Sequence, residues 1–205
     1  MEFKEFIEKI YPLAEVPQKL EFKPAILWLH LDRLPVGVVS LGSNDSSIIR
    51  LPNRVIACEG NIVPVIALAY GQFTNRTDIT DIILPNKLER ISKDAFSGCS
   101  NLKRITIPHT VRLINEKAFN NCDNLEDVYF AGSEEDWNKI RIIHEAYREK
   151  EPIKLGLYSD IETYIIPGNE ALFKAKIHYN CVLPDDATPH KLKRKRVNPV
   201  VYVYC

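Results

Sequence analysis

Apolar and polar positions between Pro85 and Phe130 follow one pattern twice, and the second copy is offset from the first by the step from Pro85 to Pro108. At that same step Leu88 recurs as Val111, Ile91 as Ile114, and Ala95 and Phe96 as Ala118 and Phe119. Cys99 recurs as Cys122, Asn101 and Leu102 as Asn124 and Leu125, and Ile105 as Val128. Most matched positions are apolar, and the residues between them are polar and vary. A fixed period of this length marks a stack of similar coils, each too small to bury its apolar face alone. The register runs backwards with decay. It places Val65 on Leu88, Leu68 on Ile91, Phe73 on Phe96, Ile79 on Leu102, Ile82 on Ile105 and Leu84 on Ile107, but puts Arg76 in the Cys99 slot. A degenerate first coil is expected, because terminal repeats must cap the stack.

Each coil is expected to hold a short parallel strand, at residues 80–84, 103–107 and 126–130. Leu102, Ile105 and Ile107 then face inward, and Arg104 and Thr106 face outward. The Ala-Phe-x-x-Cys stretch turns on the opposite side. Pro85 and Pro108 end the strands, where a missing N–H is tolerated. Residues one period apart lie side by side on adjacent strands, about 4.8 Å apart. Asp81, Arg104 and Asp127 alternate in sign along such a row, and Lys103 meets Glu126, Glu89 meets Arg112, Lys93 meets Glu116 and Asp94 meets Lys117. Opposite charges across a ladder contribute roughly 0.2–1 kcal/mol each, which favours this register over a slipped one.

The flanks read differently. Phe3, Phe6, Ile7, Ile10 and Tyr11 form one face of an amphipathic helix over residues 2–11, stopped by Pro12. Such a stripe packs on the chain's own core or docks on a partner. Residues 25–31, 36–41, 48–51 and 55–58 read as short strands of a β-rich cap. Ser133 and Asp136 have capping-box spacing. The helix they open is expected to carry Trp137, Ile140, His144 and Tyr147 on one face and to end before Pro152; a shorter helix followed by an extended stretch at 140–143 is the alternative. Ala175, Ile177 and Tyr179 alternate like a final strand.

Ile91, Ala95, Phe96, Cys99, Leu102, Ile105, Ile107 and Pro108 spell a pattern that resembles the BspA-like class of leucine-rich repeats. Residues 131–140, and 168–172 leading into 176–180, also resemble that family's C-terminal end, with 143–167 read as an insertion. The resemblance implies a strand-dominated leucine-rich-repeat solenoid of the α/β horseshoe type. It implies a solenoid used for binding, usually in bacteria or protists, and it implies no catalytic residues. Three regions follow: an N-terminal helix and β-rich cap at 1–61, the solenoid at 62–182, and a basic tail at 183–205.

Composition narrows the function classes. The chain has 205 residues with 27 basic and 27 acidic side chains, so no global charge argues for nucleic acid or a membrane surface. No stretch reaches the roughly 20 apolar residues of a membrane helix. The start of the chain, with Glu2, Glu5 and Glu8, lacks a secretory pattern, so a cytoplasmic location is expected. The 5 cysteines form no CxxC, and Cys99 and Cys122 are expected as buried small side chains. His178 and Cys181 are two possible metal ligands with no visible partners. No nucleotide-binding loop, hydrolase elbow or zinc-protease motif occurs, so the expectation is a non-enzyme with no cofactor and no metal. The expected function is protein binding by the outward strand positions, namely Ile83, Thr106 and Tyr129 in one row and Arg104 and Asp127 beside it. Another reading is nucleic-acid association through the basic run containing Lys191, Lys193, Arg194, Lys195 and Arg196.

Overall fold

The computed structural model describes residues 1–15, 20–24, 36–41, 46–56, 62–143, 145–148, 162–165 and 168–183. The chain opens with α1 (Phe3–Lys9) and a 3-10 turn (Tyr11–Leu13). Strands β1 (Leu20–Pro24), β2 (Val36–Leu41), β3 (Ile48–Arg50), β4 (Arg54–Ile56) and β5 (Ile62–Leu68) follow. The coils contribute β6 (Asp81–Ile83), β7 (Arg90–Ile91), β8 (Arg104–Ile107), β9 (Leu113–Ile114) and β10 (Asp127–Phe130). After them come α2 (Glu134–Trp137), β11 (Arg141–Ile142), β12 (Glu145–Arg148), β13 (Glu162–Ile165), α3 (Glu170–Lys174) and β14 (Lys176–His178).

Two ladders run along the stack. One is entirely parallel, in the order β14-β10-β8-β6-β3. The other has the order β1-β2-β5-β7-β9-β11, with β4 pairing on β5. Asp81 pairs Arg104 and Arg104 pairs Asp127, so the 23-residue period is the physical register of the sheet. Arg90 pairs Leu113 at the same step on the second ladder. Sequence reading anticipated the first ladder and missed the second, whose strands within the coils have only two residues, too few to alternate visibly.

The predicted inward positions are the core. Val65, Leu68, Phe73, Ile79, Ile82 and Leu84 of the degenerate first coil are buried along with Leu88, Ile91, Phe96, Leu102, Ile105 and Phe119. Phe73, Phe96 and Phe119 stack as a column with ring centroids 5.2 and 5.1 Å apart, close to the strand spacing. The thiols of Cys99 and Cys122 are buried and donate to the carbonyls of Phe73 and Phe96, one coil back, at 3.0 and 3.1 Å. Burial pushes the Cys99 thiol up to about 12, so it is inert at neutral pH. Asn101 and Asn124 repeat for a related reason: each side-chain amide donates to a carbonyl of the previous coil, Thr77 and Ser100, at 2.7 Å.

The turn side repeats in backbone conformation even where residue type changes. Gly71, Asp94 and Lys117 all have positive φ, and so do Asn75, Gly98 and Asn121. These two left-handed positions recur once per coil and bend the chain back toward the next one. Gly98 has φ of +77°, which favours glycine, and a Cβ there would push aside the Asn75 side chain, whose Oδ1 would lie 2.2 Å away. Between coils, Phe73 N donates to Ala95 O at 2.7 Å and Phe96 N to Ala118 O at 2.8 Å.

The end of the stack solves the problem of the missing next coil. Phe119 N has no following repeat carbonyl to reach, and donates instead to Asn169 Oδ1 at 3.1 Å. The Asn169 amide nitrogen donates to the carbonyls of Asn115 and Ile143, at 3.0 and 2.9 Å. Gly168 lets this segment approach, since a Cβ there would lie 2.7 Å from Lys117 Cα. Asp127 then pairs Lys176, well beyond one period along the chain, so the repeat is interrupted before its last rung. The chain between holds the antiparallel pair β12–β13.

Two expectations are corrected. The helix after Ser133 has its capping box, with Asp136 N donating to Ser133 Oγ at 3.2 Å, but α2 ends at Trp137 and does not run toward Pro152. Trp137 and Ile140 are already buried and β11 joins the second ladder at Leu113–Ile114, so pairing wins over helix extension. Of the charge ladder, the pairs Arg104–Asp81 and Lys93–Glu116 form ion pairs. Asp127, although next to Arg104 in the ladder, makes no ion pair with it: its carboxylate takes the Met1 amino group and His178 instead. The strand expected at 25–31, the cysteines Cys58 and Cys205, and the basic run from Lys191 to Arg196 lie outside the described residues.

Candidate binding face

The sequence leaves two states for the outward face of the five-stranded ladder: open for binding, or buried under the N-terminal cap or the 143–167 insertion. The face is covered. Ile83 and Thr106 are each 2 % exposed and Tyr129 is 1 % exposed. Asp127 is buried as well, while Arg104 is half-buried. The Thr106 hydroxyl is spent on the frame, accepting from Leu84 N at 3.0 Å. Arg104 is spent on Asp81, with its Nη2 3.0 Å from Asp81 Oδ2, and Asp81 also takes the Thr80 hydroxyl.

The cover is the N-terminal segment. Phe6 is fully buried and joins Ile83, Tyr129 and Cys181 in a second apolar cluster, flanked by Met1, Phe3, Ile7, Ile10, Tyr11, Ala14 and Leu183. The stripe read from sequence over residues 2–11 is therefore the surface that meets the Ile83–Thr106–Tyr129 row. The rings of Phe3 and Phe6 lie 5.5 and 4.6 Å from the Tyr129 ring, and His178 lies on it at 4.9 Å.

Polar contacts hold the segment at its two ends. At the β10–β14 end the Met1 amino group sits 2.8 Å from Asp127 Oδ2, and Tyr129 Oη donates to Met1 O at 3.0 Å. His178 Nε2 meets Asp127 Oδ1 at 2.7 Å, and Lys176 Nζ donates to Glu2 Oε1 at 2.8 Å. At the β3 end Glu15 N donates to Ile48 O and Arg50 N to Glu15 O, at 3.0 and 2.9 Å, while Arg50 Nη1 donates to Tyr11 Oη at 3.1 Å. The segment thus crosses the strands from β14 to β3. Burial works to raise the Asp127 carboxyl, but the hydrogen bonds from the amino terminus and His178 outweigh it and hold it below the usual carboxylate range. Burial pushes the Tyr129 phenol upward, so it stays a neutral donor.

Sequence reading named Tyr129 and Asp127 but not His178, Glu2 or Met1 as their neighbours. No period links them: His178 is 51 residues from Asp127, and Met1 is 126. The available signal was chemical: an apolar stripe on one segment and an apolar row on another.

Among the described residues no group of three His, Cys, Asp or Glu side chains could hold a metal ion. No helix of the described residues is long and apolar enough to cross a membrane.

Residues 67–145 match the BspA type Leucine rich repeat region in 6 copies. The repeats belong to the BspA type. Among solved structures, the chain is similar to a leucine-rich repeat protein from Bacteroides ovatus at 22% identity and TM-score 0.46, over 57% of this chain and 31% of that one. It is similar to a leucine-rich repeat protein of T. pallidum at 23% identity and TM-score 0.44, over 54% of this chain and 50% of that one. A leucine rich cell surface protein from Faecalibacterium prausnitzii aligns at 23% identity and TM-score 0.46, over 58% of this chain and 33% of that one. The match thus spans a half or less of each of these relatives. No curated protein matches the chain.

Proposed function

We propose that this chain is a non-enzymatic protein-binding module that works through the outward face of its five-stranded ladder. Its repeat family suggests an interaction role. The observation that carries the reading is the occupied face itself. The row Ile83, Thr106 and Tyr129 already holds an amphipathic segment laid across the strands, so this surface has the chemistry to hold a polypeptide. Arg104 and Asp127 border the row, and exposed Lys103 and Glu126 lie at its edge. A repeat stack suits this task because its parallel rungs present a rigid, extended surface.

Photoreactive residues placed at Lys103 and Glu126, and at the exposed Lys87 and His109 as controls, test the reading in extract of the source organism. One protein cross-linked from both 103 and 126, and absent from 87 and 109, is the expected result. Cross-linking to RNA or DNA instead, or an identical pattern at all four positions, sinks it.

A further inference from the structure

We infer that the outward ladder face is a receptor for an amphipathic helical segment that carries aromatic residues at i and i+3 and a cationic group at its leading end, and that residues 1–14 hold this face in cis as a competitor. The inference rests on the protein-binding reading and names the class of partner.

The face makes two demands on any occupant. It needs apolar area to cover Ile83, Tyr129 and Cys181, and it needs a positive group for Asp127, a carboxylate held among buried neighbours. In the closed chain Phe3 and Phe6 meet the first demand, their rings packed at a tilt against Tyr129, and the Met1 amino group meets the second at 2.8 Å. A foreign segment that supplies both is recognised by the same contacts.

The cis segment is built to leave more easily than the coils. Its helix has seven residues, and its N-cap Glu2 makes no side-chain cap bond. Isolated helices shorter than about 12–15 residues are marginal in water, so α1 depends on the face for its helicity. Its contacts belong to an apolar cluster separate from the coil interior, so it can lift away without opening the stack. An occupant that competes with a tethered segment binds with an apparent affinity reduced by the fraction of chain that is open.

The probe is a fluorescein-labelled peptide copying residues 1–15, and the readout is anisotropy with the full-length chain. Phe6→Asp places a charge where a fully buried ring stood and evicts the segment. This variant is expected to bind the peptide at least tenfold tighter than the wild-type chain, and a peptide with both Phe3 and Phe6 replaced by Ala is expected not to bind. Amide exchange at Arg104–Ile107 reports whether the stack survives. If Phe6→Asp loses that protection, the milder Phe3→Ala, Ile7→Ala double variant is read in the same way. Equal affinity in wild type and variant, or no binding by a variant whose stack stays protected, overturns the proposal. A 1:1 complex of wild-type and Phe6→Asp chains with the peptide's affinity, seen by light scattering, assigns the face to a second copy and also overturns it. A protein cross-linked from 103 and 126 beside a peptide that fails to bind rejects the helical class alone, and leaves the protein-binding reading standing.

Discussion

The described residues form two apolar cores, and they are built on opposite principles. The coil interior places identical residue types on each other at one fixed step: Phe73 on Phe96 on Phe119, with the Cys99 and Cys122 thiols reaching back one coil. The core beneath α1 joins unlike residues from opposite ends of the described chain, Phe6 on Tyr129 and Met1 on Asp127. In the first, each inner rung has neighbours on two sides and shares their strand register. In the second, one short helix meets one face, and few contacts besides that face secure it. A stack of rungs resists local opening because lifting one breaks contacts with both neighbours; a segment lying on a face does not.

The largest expected effect separates the two. Phe119→Ala removes a fully packed rung and is expected to cost roughly 3–5 kcal/mol by denaturant unfolding, with amide protection lost along the coils. A loss below about 1 kcal/mol breaks the view that the column is a continuous core. Asn169→Ala comes next. It leaves Phe119 N without its acceptor and takes the amide donor from the carbonyls of Asn115 and Ile143, of which Asn115 keeps Ala118 N, and about 2–3 kcal/mol of stability should go with it. Asn169→Asp sharpens this, because it keeps the acceptor for Phe119 N but removes the donor. Its second carboxylate oxygen then faces the carbonyls of Asn115 and Ile143 in a buried site, so a loss at least as large as that of Asn169→Ala is expected.

Tyr129→Phe belongs to the other core. It keeps the ring and deletes the hydroxyl that donates to Met1 O, so the loss should be about 1 kcal/mol and confined to α1. Exchange should quicken at Phe3–Lys9 and stay unchanged at Arg104–Ile107; equal quickening at both joins the two cores into one unit. The smallest effect is expected on mild acidification. Asp127 has a folded pKa below its unfolded value. Its contribution is therefore complete above the unfolded value, near pH 4, and is lost as pH falls below that through the lowered folded value. Protection at Phe3–Lys9, taken against intrinsic exchange at each pH, should fall first as pH drops below about 4, before the coils respond. Coils that open first would place the acid-sensitive contact elsewhere.

A good part of the molecule was legible in the sequence. The period named the coils, the inward rungs, the strand positions, the buried thiols and the capping box at Ser133. Each depends on residues within one coil or one step away, where spacing along the chain equals neighbourhood in space. The degenerate first coil could be read for the same reason: Phe73 and Ile79 keep the step although Arg76 breaks the cysteine slot. The second ladder was not legible, because Arg90–Ile91 and Leu113–Ile114 are too short to show an alternation. The early end of α2 was open between two readings, since a capped start says nothing of where pairing with β9 will take over.

The outward face of the first ladder divides the same way. Sequence alone determined that Ile83, Thr106 and Tyr129 share an outward row, and that residues 3–11 carry an apolar stripe. Only the tertiary structure decided that the stripe lies on the row, and that Asp127 leaves its periodic neighbour Arg104 for Met1 and His178. The physical reason is distance along the chain. Periodicity reports contacts at a constant separation, whereas the contact of Met1 with Asp127 spans 126 residues and occurs once. Two apolar surfaces with no fixed spacing between them find each other by excluding water, and that choice is made by the folded shape rather than by the order of residues.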